Sequence, residues 1–181
     1  MSYKVHLGCG KRFLKGFIHI DIIDYDHIDY VSDVSKLGFF EDESCEEIYA
    51  SHVLEHIKKT ETKQVLQEWN RVLKPGGKLR VAVPDFDSVV EYVSNNGPSS
   101  LGDVQGLLYG GQTHDFNFHH VCFNFNILSG LLIDSSFKNI ARYDWRDFLP
   151  EGFDDYSRAY LPHKDFINGK LMSLNIVAEK A

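Results

Sequence analysis

The sequence predicts an α/β protein built on a mostly parallel sheet, and three observations support that class. Short apolar segments alternate with segments of helical period, as in folds whose helices connect parallel strands. A glycine-rich turn directly follows the first apolar segment. The 181 residues, 43% of them hydrophobic, can build one core but are too few for two ordinary domains. We therefore expect a single domain over residues 1–181.

Apolar segments of strand length occupy the first third of the chain. They cover residues 3–7, 17–21, 29–31 and 47–50, and each predicts a β-strand. The first segment ends at Gly8, and the second ends in an acidic run. Glycine and acidic residues are depleted in strands, so they mark the ends of these elements.

A helix is predicted over residues 62–73. Its apolar residues recur at three- and four-residue spacing and therefore share one face: Val65, Leu66, Trp69, Val72 and Leu73. The Lys-Pro-Gly-Gly segment at 74–77 ends the helix, because proline and glycine extend a helix only at a cost. A fifth strand follows over residues 78–83, and Pro84-Asp85 ends it.

The second half of the chain has a weaker pattern. Residues 95–100 predict a break rich in turn residues, and residues 109–125 contain three histidines and several phenylalanines without a clear period. Residues 145–168 are too polar and aromatic to assign. The remaining predicted elements are a helix over 126–134 and strands over 140–143 and 171–179.

Composition limits the classes of function. Lys and Arg total 19 against 26 for Asp and Glu, which gives a formal charge of −7. Affinity for nucleic acid comes largely from basic residues, so we expect no nucleic-acid partner. No apolar run approaches the roughly 18 residues of a membrane span, and no signal-type segment opens the chain. The three cysteines show no C-x-x-C spacing, and we expect a cytoplasmic protein that binds neither metal nor membrane.

Residues suited to ligand binding follow the first three strands. Gly8 and Gly10 allow a ligand to approach the main chain closely, although a bare Gly-x-Gly is equally compatible with a plain turn. Asp21 can accept both hydroxyls of a ribose. Asp33 can accept from an adenine amino group while the Val34 amide donates to the ring. A single aspartate is more often a helix cap, but three ordered strand ends rarely gain such residues by chance.

Five segments together resemble one enzyme family. They are His-Leu-Gly-Cys-Gly at 6–10, Phe-Ile-His-Ile-Asp at 17–21, Ala-Ser-His-Val-Leu-Glu-His at 50–56, Arg-Val-Leu-Lys-Pro-Gly-Gly-Lys-Leu at 71–79 and Ser-Leu-Asn-Ile-Val-Ala-Glu-Lys at 173–180. The sequence resembles the class I S-adenosylmethionine-dependent methyltransferases. The resemblance implies a Rossmann-like, doubly wound sheet of seven strands, mostly parallel, with an antiparallel last strand.

The resemblance also implies a cofactor site for S-adenosylmethionine. By motif position, the methionine part lies against Gly8, Cys9 and Gly10. Asp21 binds the ribose, Asp33 and Val34 bind the adenine, and Ser51 and His52 lie beside the sulfonium.

One departure concerns the connection between the glycines and Asp21. Nucleotide-binding βαβ units place the acidic residue about 20 positions after the glycines, whereas Asp21 follows Gly10 by only eleven residues. Residues 11–16 are too few for an ordinary crossover helix. A pyrophosphate gains much from a helix N-terminus, and S-adenosylmethionine has no phosphate. The departure therefore disfavours an NAD-dependent enzyme more than a methyltransferase.

The acceptor is expected to be a small polar metabolite or sugar methylated on oxygen or nitrogen. Histidine is the natural base near neutral pH, and His52, His56 and His119 are the candidates. His119 and His120 are expected to point to opposite sides of an extended segment, so at most one of them faces the site. Asp85 is a further candidate for holding the acceptor. Residues 95–168 are expected to form an insert on the acceptor side.

Three alternatives remain open at this point. A metal site at His114, Asp115, His119 and His120 is disfavoured, because no further residue completes a recognised ligand spacing. A protein that binds S-adenosylmethionine without catalysis, as a sensor or scaffold, would lack an acceptor cavity. A homodimer is compatible with such a sheet, and no residue pattern selects its interface.

Overall fold

A computed structural model describes residues 2–181 and places a seven-stranded sheet at the centre of the molecule. The strands in chain order are β1 (Tyr3–Leu7), β2 (Ile18–Asp21), β3 (Tyr30–Val31), β4 (Cys45–Ser51), β5 (Leu73–Pro84), β6 (Phe137–Arg142), β7 (Tyr160–Leu161), β8 (Lys170–Leu171) and β9 (Ser173–Lys180). The main sheet has the order β3-β2-β1-β4-β5-β9-β6, and β7 pairs with β8 separately. Strands β1 to β5 pair in parallel, while β9 runs antiparallel to β5 and β6. The predicted doubly wound sheet with an antiparallel last strand is confirmed.

Four α-helices accompany the sheet: α1 (Thr62–Val72), α2 (Phe86–Asn96), α3 (Leu101–Tyr109) and α4 (Phe125–Asp134). Short 3₁₀ turns occur at Leu54–His56, Pro98–Ser100, Trp145–Asp147 and Tyr156–Arg158. Helix α1 begins at the predicted residue, and α3 has no counterpart in the prediction. Within residues 2–181, no helix combines the length and apolar character that crossing a membrane requires.

The Lys-Pro-Gly-Gly segment forms the first part of β5, although the sequence predicts a break there. On β4, Cys45 pairs with Leu73 and Glu47 pairs with Lys78, so the two strands lose register between these pairs. Gly76 has a φ of +74°, a conformation that glycine adopts without strain. The segment is thus an irregular entry from α1 into β5.

One face of the sheet is apolar and holds the main core. Val5, Ile48 and Leu79 lie in register on β1, β4 and β5, and all three are fully buried. Leu66 and Trp69 of α1 belong to the same buried cluster. The amphipathic face predicted for this helix therefore packs on the sheet.

The opposite face is polar. His19, His6, Tyr49 and Arg80 lie side by side on four neighbouring strands. Residues 145–158, which had no predicted structure, cover this face through a small cluster that contains Leu14, Tyr49, Leu149 and Phe153. Tyr49 donates a hydrogen bond to Asp155 of that segment. No helix lies between β1 and β2, as the short connection predicted, and an irregular segment packs on this face of the sheet.

Candidate active site

A cavity of about 530 Å³ opens over the carboxyl ends of β1, β2 and β4. Six of the eight residues predicted to hold the cofactor line it: Gly8, Gly10, Asp21, Asp33, Val34 and His52. The volume lies within the roughly 300–1,000 Å³ that small-molecule and cofactor sites usually enclose. The motifs at the strand ends therefore meet at one concave site.

The glycine turn after β1 requires glycine at its first position. Gly8 has a φ of +58° and Gly10 a φ of +56°. A Cβ atom on Gly8 would lie 2.4 Å from Cγ2 of Val53, far inside van der Waals contact. The Gly8 amide donates to the Ile20 carbonyl of β2 at 2.7 Å, which ties the turn to the neighbouring strand.

Asp21, the last residue of β2, is 7% exposed and forms part of the cavity wall. Its Oδ2 accepts a hydrogen bond from the Gly10 amide at 2.7 Å, and its Oδ1 accepts one from the Ile23 amide at 2.9 Å. A carboxylate oxygen has two lone pairs, so each oxygen retains capacity for a ligand hydroxyl. Asp21 thus suits the diol of a ribose.

The Asp33-Val34 pair is fixed by local and long-range hydrogen bonds. Asp33 Oδ1 accepts from the Ser35 amide at 2.8 Å, which closes a turn after β3. The Val34 carbonyl accepts from Nε1 of Trp69 at 2.9 Å, and the Trp69 side chain is fully buried. Helix α1 therefore sets the position of this edge of the cavity.

Cys9 and Ser51 do not line the cavity. Cys9 is buried, and its Sγ lies 3.7 Å from the Gly10 carbonyl and 3.8 Å from Nε2 of His27. Burial raises the pKa of the Cys9 thiol to about 12, with the nearby Asp21 charge as a further cause. Ser51 is also buried, and within residues 2–181 its Oγ has no hydrogen-bond partner.

His52 lines the cavity, and its own backbone has an unusual conformation. Its φ of +55° is in the left-handed region, which residues other than glycine seldom adopt. Its Nε2 lies 3.1 Å from the Ser173 hydroxyl, and its Nδ1 lies 3.2 Å from Oε1 of Glu55. Both ring nitrogens therefore face protein groups.

His56, the second predicted base, also lines the cavity, but His119 does not. His119 Nδ1 lies 2.9 Å from the Leu107 carbonyl, and its Nε2 points to Glu55 Oε1 at 3.9 Å. Burial lowers the pKa of the His119 imidazole. His120 lines the cavity, in keeping with the expectation that at most one of this pair faces the site. Of the four residues considered as a metal site, His114, Asp115 and His120 line the cavity and His119 does not.

Glu55 lies behind this wall and has no predicted role. Burial acts to raise the pKa of its carboxyl group, but the charges of His52, His56 and His119 lower it, and the net shift is downward. Glu55 therefore remains ionised in a fully buried position. A glutamate between two histidines in an otherwise apolar segment is the sequence signal that could have identified it.

Asp85, the further candidate for holding an acceptor, is not among the residues that line the cavity. Its side chain accepts from the Asp87 amide at 3.2 Å and so caps α2, and Arg142 Nη1 lies 3.2 Å from its Oδ2. Tyr156, which the sequence did not single out, lines the cavity, and its ring centre lies 5.5 Å from that of His52. Tyr156 belongs to the irregular segment that covers the polar face, so no periodic pattern marks it.

Comparisons with known proteins agree with this arrangement. A family model described as "Methyltransferase domain" matches residues 16–81. A search of curated protein sequences gives no match. Many solved structures share the fold, and three of them illustrate the range of similarity.

The first is the Burkholderia thailandensis 1,6-didemethyltoxoflavin-N1-methyltransferase, whose structure contains 1,6-didemethyltoxoflavin and S-adenosylhomocysteine. It is 16% identical with a TM-score of 0.62, over 99% of this chain and 71% of that one. A methyltransferase from Archaeoglobus fulgidus is 14% identical with a TM-score of 0.59, over 99% and 86% of the two chains. One from Methanosarcina mazei is 16% identical with a TM-score of 0.57, over 98% and 92%.

These structural likenesses establish the fold, and the domain match covers β2, β3 and β4 with the cavity residues Asp21, Asp33, Val34 and His52. The residues that meet there suit an adenosine ligand, with a buried carboxylate for a ribose at the end of β2. The methyltransferase domain model thus matches residues 16–81, and the chain as a whole shares its fold with solved S-adenosylmethionine-dependent methyltransferases.

Proposed function

We propose that this enzyme transfers the methyl group of S-adenosylmethionine to an oxygen or nitrogen of a small polar metabolite or sugar. One observation supports the proposal above all others: a single cavity has the Asp21 carboxylate on one wall and histidines on another. A donor bound at Asp21 and an acceptor beside the histidines would share one enclosed space.

The cofactor contacts in this proposal follow the cavity wall from strand to strand. The proposed partners of the methionine part are Gly8, Gly10 and the main chain of Cys9. Asp21 is assigned to the ribose, and Asp33 with the Val34 amide is assigned to the adenine. His52 and the main chain of Ser51 are assigned to the region around the sulfur.

When bound, S-adenosylmethionine supplies a methyl group on a positively charged sulfur. The protein has to align the acceptor and exclude water, and orientation alone can contribute about 7–11 kcal/mol in favourable cases. A general base adds roughly 10²–10⁴-fold where the acceptor must lose a proton. We assign this role to His120. It lines the cavity and His119 does not, both ring nitrogens of His52 face protein groups, and Nδ1 of His56 is bound to the Phe118 carbonyl.

The acceptor side of the cavity mixes aromatic and polar groups. Phe116, Phe118 and Tyr156 line it together with Asp115 and Asn117. Such a wall suits a compact molecule that has both a ring or carbon skeleton and hydrogen-bonding groups. The segment from 110 to 123 with Tyr156 is therefore the proposed acceptor side, while residues 125–142 supply α4 and β6 to the main fold.

Calorimetric titration tests the cofactor site. Wild-type protein should bind S-adenosylmethionine and S-adenosylhomocysteine and give no heat with NAD. Asp21→Asn keeps the shape of the side chain but removes the charge that strengthens hydrogen bonds to a ribose. A hydrogen bond to a charged group contributes about 1.5–3 kcal/mol, so affinity should fall by about 10- to 150-fold. Asp26→Asn, an exposed aspartate outside the cavity wall, is the matched control.

Unchanged affinity in a folded Asp21→Asn protein would show that the ribose assignment is wrong. Catalysis is tested separately, by formation of S-adenosylhomocysteine with a panel of small hydroxyl and amine acceptors. His120→Gln should lower turnover and leave S-adenosylmethionine affinity near the wild-type value. Tight cofactor binding with no turnover on any acceptor would favour the sensor or scaffold alternative.

A further inference from the structure

Glu55 is a buried carboxylate without hydrogen bonds. Its side chain is 0% exposed, and within residues 2–181 neither carboxylate oxygen accepts a hydrogen bond. His52 Nδ1 lies 3.2 Å from Oε1, but the contact does not have hydrogen-bond angles. Buried charges in proteins are normally paired, hydrogen-bonded or bound to metal. Glu55 therefore faces imidazoles, but within residues 2–181 no donor makes a hydrogen bond to its carboxylate.

Two imidazoles face this carboxylate in a specific orientation. His56 Nδ1 lies 3.1 Å from the Phe118 carbonyl, and His119 Nδ1 lies 2.9 Å from the Leu107 carbonyl. Because a carbonyl only accepts, each Nδ1 is the nitrogen with the hydrogen, and each Nε2 keeps its lone pair. Histidines that bind metals are oriented by this kind of hydrogen bond from the other ring nitrogen.

The three side chains lie within reach of one ion. One ligand atom from each of Glu55, His56 and His119 can be chosen so that all lie within 4.8 Å of one another. His119 Nε2 is 3.9 Å from Glu55 Oε1, and the ring centres of His56 and His119 are 4.7 Å apart. The His120 amide donates to the Glu55 carbonyl at 2.8 Å. That bond fixes the segment that contains His119 against the turn that contains Glu55 and His56.

From this geometry we propose that Glu55, His56 and His119 bind a divalent first-row transition metal ion at the acceptor end of the cavity. Two imidazoles and one carboxylate suit ions such as Zn²⁺, Co²⁺, Mn²⁺ or Fe²⁺, whereas Mg²⁺ prefers oxygen ligands alone. Three protein ligands leave coordination positions for water or substrate. His56 belongs both to this cluster and to the cavity wall, which puts the ion beside the acceptor.

The proposal deepens the proposed function and rests on it for its role in the reaction. An ion at this wall lowers the pKa of a hydroxyl group bound to it, so it favours an oxygen acceptor over an amine. Ion binding itself does not require methyl transfer. A failure of the metal proposal is thus distinguishable from a failure of the methyltransferase assignment.

The test uses the full chain, dialysed against a chelator and free of cofactor. Titration with Co²⁺ should give a visible absorption band that saturates at one ion per chain, and Zn²⁺ should abolish the band by competition. Mg²⁺ should not. Zn²⁺ should also raise the midpoint of thermal unfolding, because an ion that binds only the folded state stabilises it.

Variants identify the ligands. Loss of a residue that only orients a ligand usually costs 10–100-fold in metal affinity, so loss of a ligand should cost more than about 100-fold. Glu55→Gln and His119→Gln should show this loss. His56→Gln, on the cavity wall, provides the same test if the two more buried changes prevent folding. His163→Gln, an exposed histidine outside both the cluster and the cavity wall, is the control and should bind Co²⁺ like wild type.

Two outcomes would overturn the proposal. One is that neither Co²⁺ nor Zn²⁺ binds the wild-type protein stoichiometrically. The other is that folded His56→Gln or His119→Gln binds Co²⁺ as tightly as the wild type and gives the same absorption band.

Discussion

Acid should destabilise this protein through one buried histidine, His6 of β1. The side chain is 1% exposed, and within residues 2–181 its Nδ1 has no hydrogen-bond partner. Burial lowers the pKa of His6 to about 3, and the nearby His19, Arg12 and His27 add to the effect. An imidazole in an unfolded chain has a pKa of about 6.5.

The sign of the effect follows from proton binding. Below pH 6.5 the unfolded chain protonates this imidazole, whereas the folded protein keeps it neutral until about pH 3. The unfolded state therefore binds more protons, and stability is lost as the pH falls from 6.5. At pH 5 the solution is about 1.5 pH units below the pKa of the imidazole in the unfolded chain, which corresponds to a loss of about 2 kcal/mol of unfolding free energy from His6 alone.

Urea unfolding of wild type and His6→Phe at pH 7 and pH 5 measures this loss. Phenylalanine keeps an aromatic ring beside Tyr49 and cannot be protonated. The difference in unfolding free energy between the two proteins should shift by about 2 kcal/mol in favour of the variant at pH 5. Other titrating groups cancel in the comparison, and His163→Gln, an exposed histidine, is the control. A difference that stays constant between the two pH values would refute the reasoning.

Two further substitutions test how the cavity is built. Gly8→Ala should lower the free energy of unfolding by about 2–5 kcal/mol, from left-handed strain of about 1–2 kcal/mol and an overpacked methyl of about 1–3 kcal/mol against Val53. Adding Val53→Ala should recover the overpacking part in a double-mutant cycle, and strictly additive effects would contradict the predicted contact. Trp69→Phe should cost about 1–3 kcal/mol in urea unfolding because it leaves the buried Val34 carbonyl without its donor. It should also weaken S-adenosylmethionine binding if Val34 contacts the adenine, and unchanged stability would mean that the Trp69–Val34 bond contributes little.

The sequence predicted those parts of the site that depend on local patterns. Gly8, Asp21 and Asp33 each follow a short apolar segment, and the parallel sheet brings the ends of these segments to one edge. The order of the strands makes this result robust, because β3, β2 and β1 are neighbours. An error of one or two residues in a strand boundary would not separate the three positions.

The parts that the sequence did not predict depend on packing between distant segments. Residues 145–158 lack a period because single residues contact the polar face of the sheet one by one, as Phe148 contacts Arg80, Phe153 contacts His6 and Asp155 contacts Tyr49. The relation of His119 to Glu55 spans 64 positions in the chain and arises from main-chain hydrogen bonds that the His119 and His120 amides donate to the Tyr109 and Glu55 carbonyls. A short sequence motif cannot predict a contact between residues that are so far apart in the chain.

The connection without a helix changes how the glycine turn is held in place. In a nucleotide-binding βαβ unit, the amides after the glycines belong to a helix, and the helix fixes them. Here the Gly8 amide is bound by the Ile20 carbonyl and the Gly10 amide by the Asp21 carboxylate, so both anchors come from β2. Asp21 therefore has two tasks in the proposed site, to hold the turn and to bind the ribose. Asp21→Ala should accordingly weaken cofactor binding more than Asp21→Asn, since asparagine retains an acceptor for the Gly10 amide.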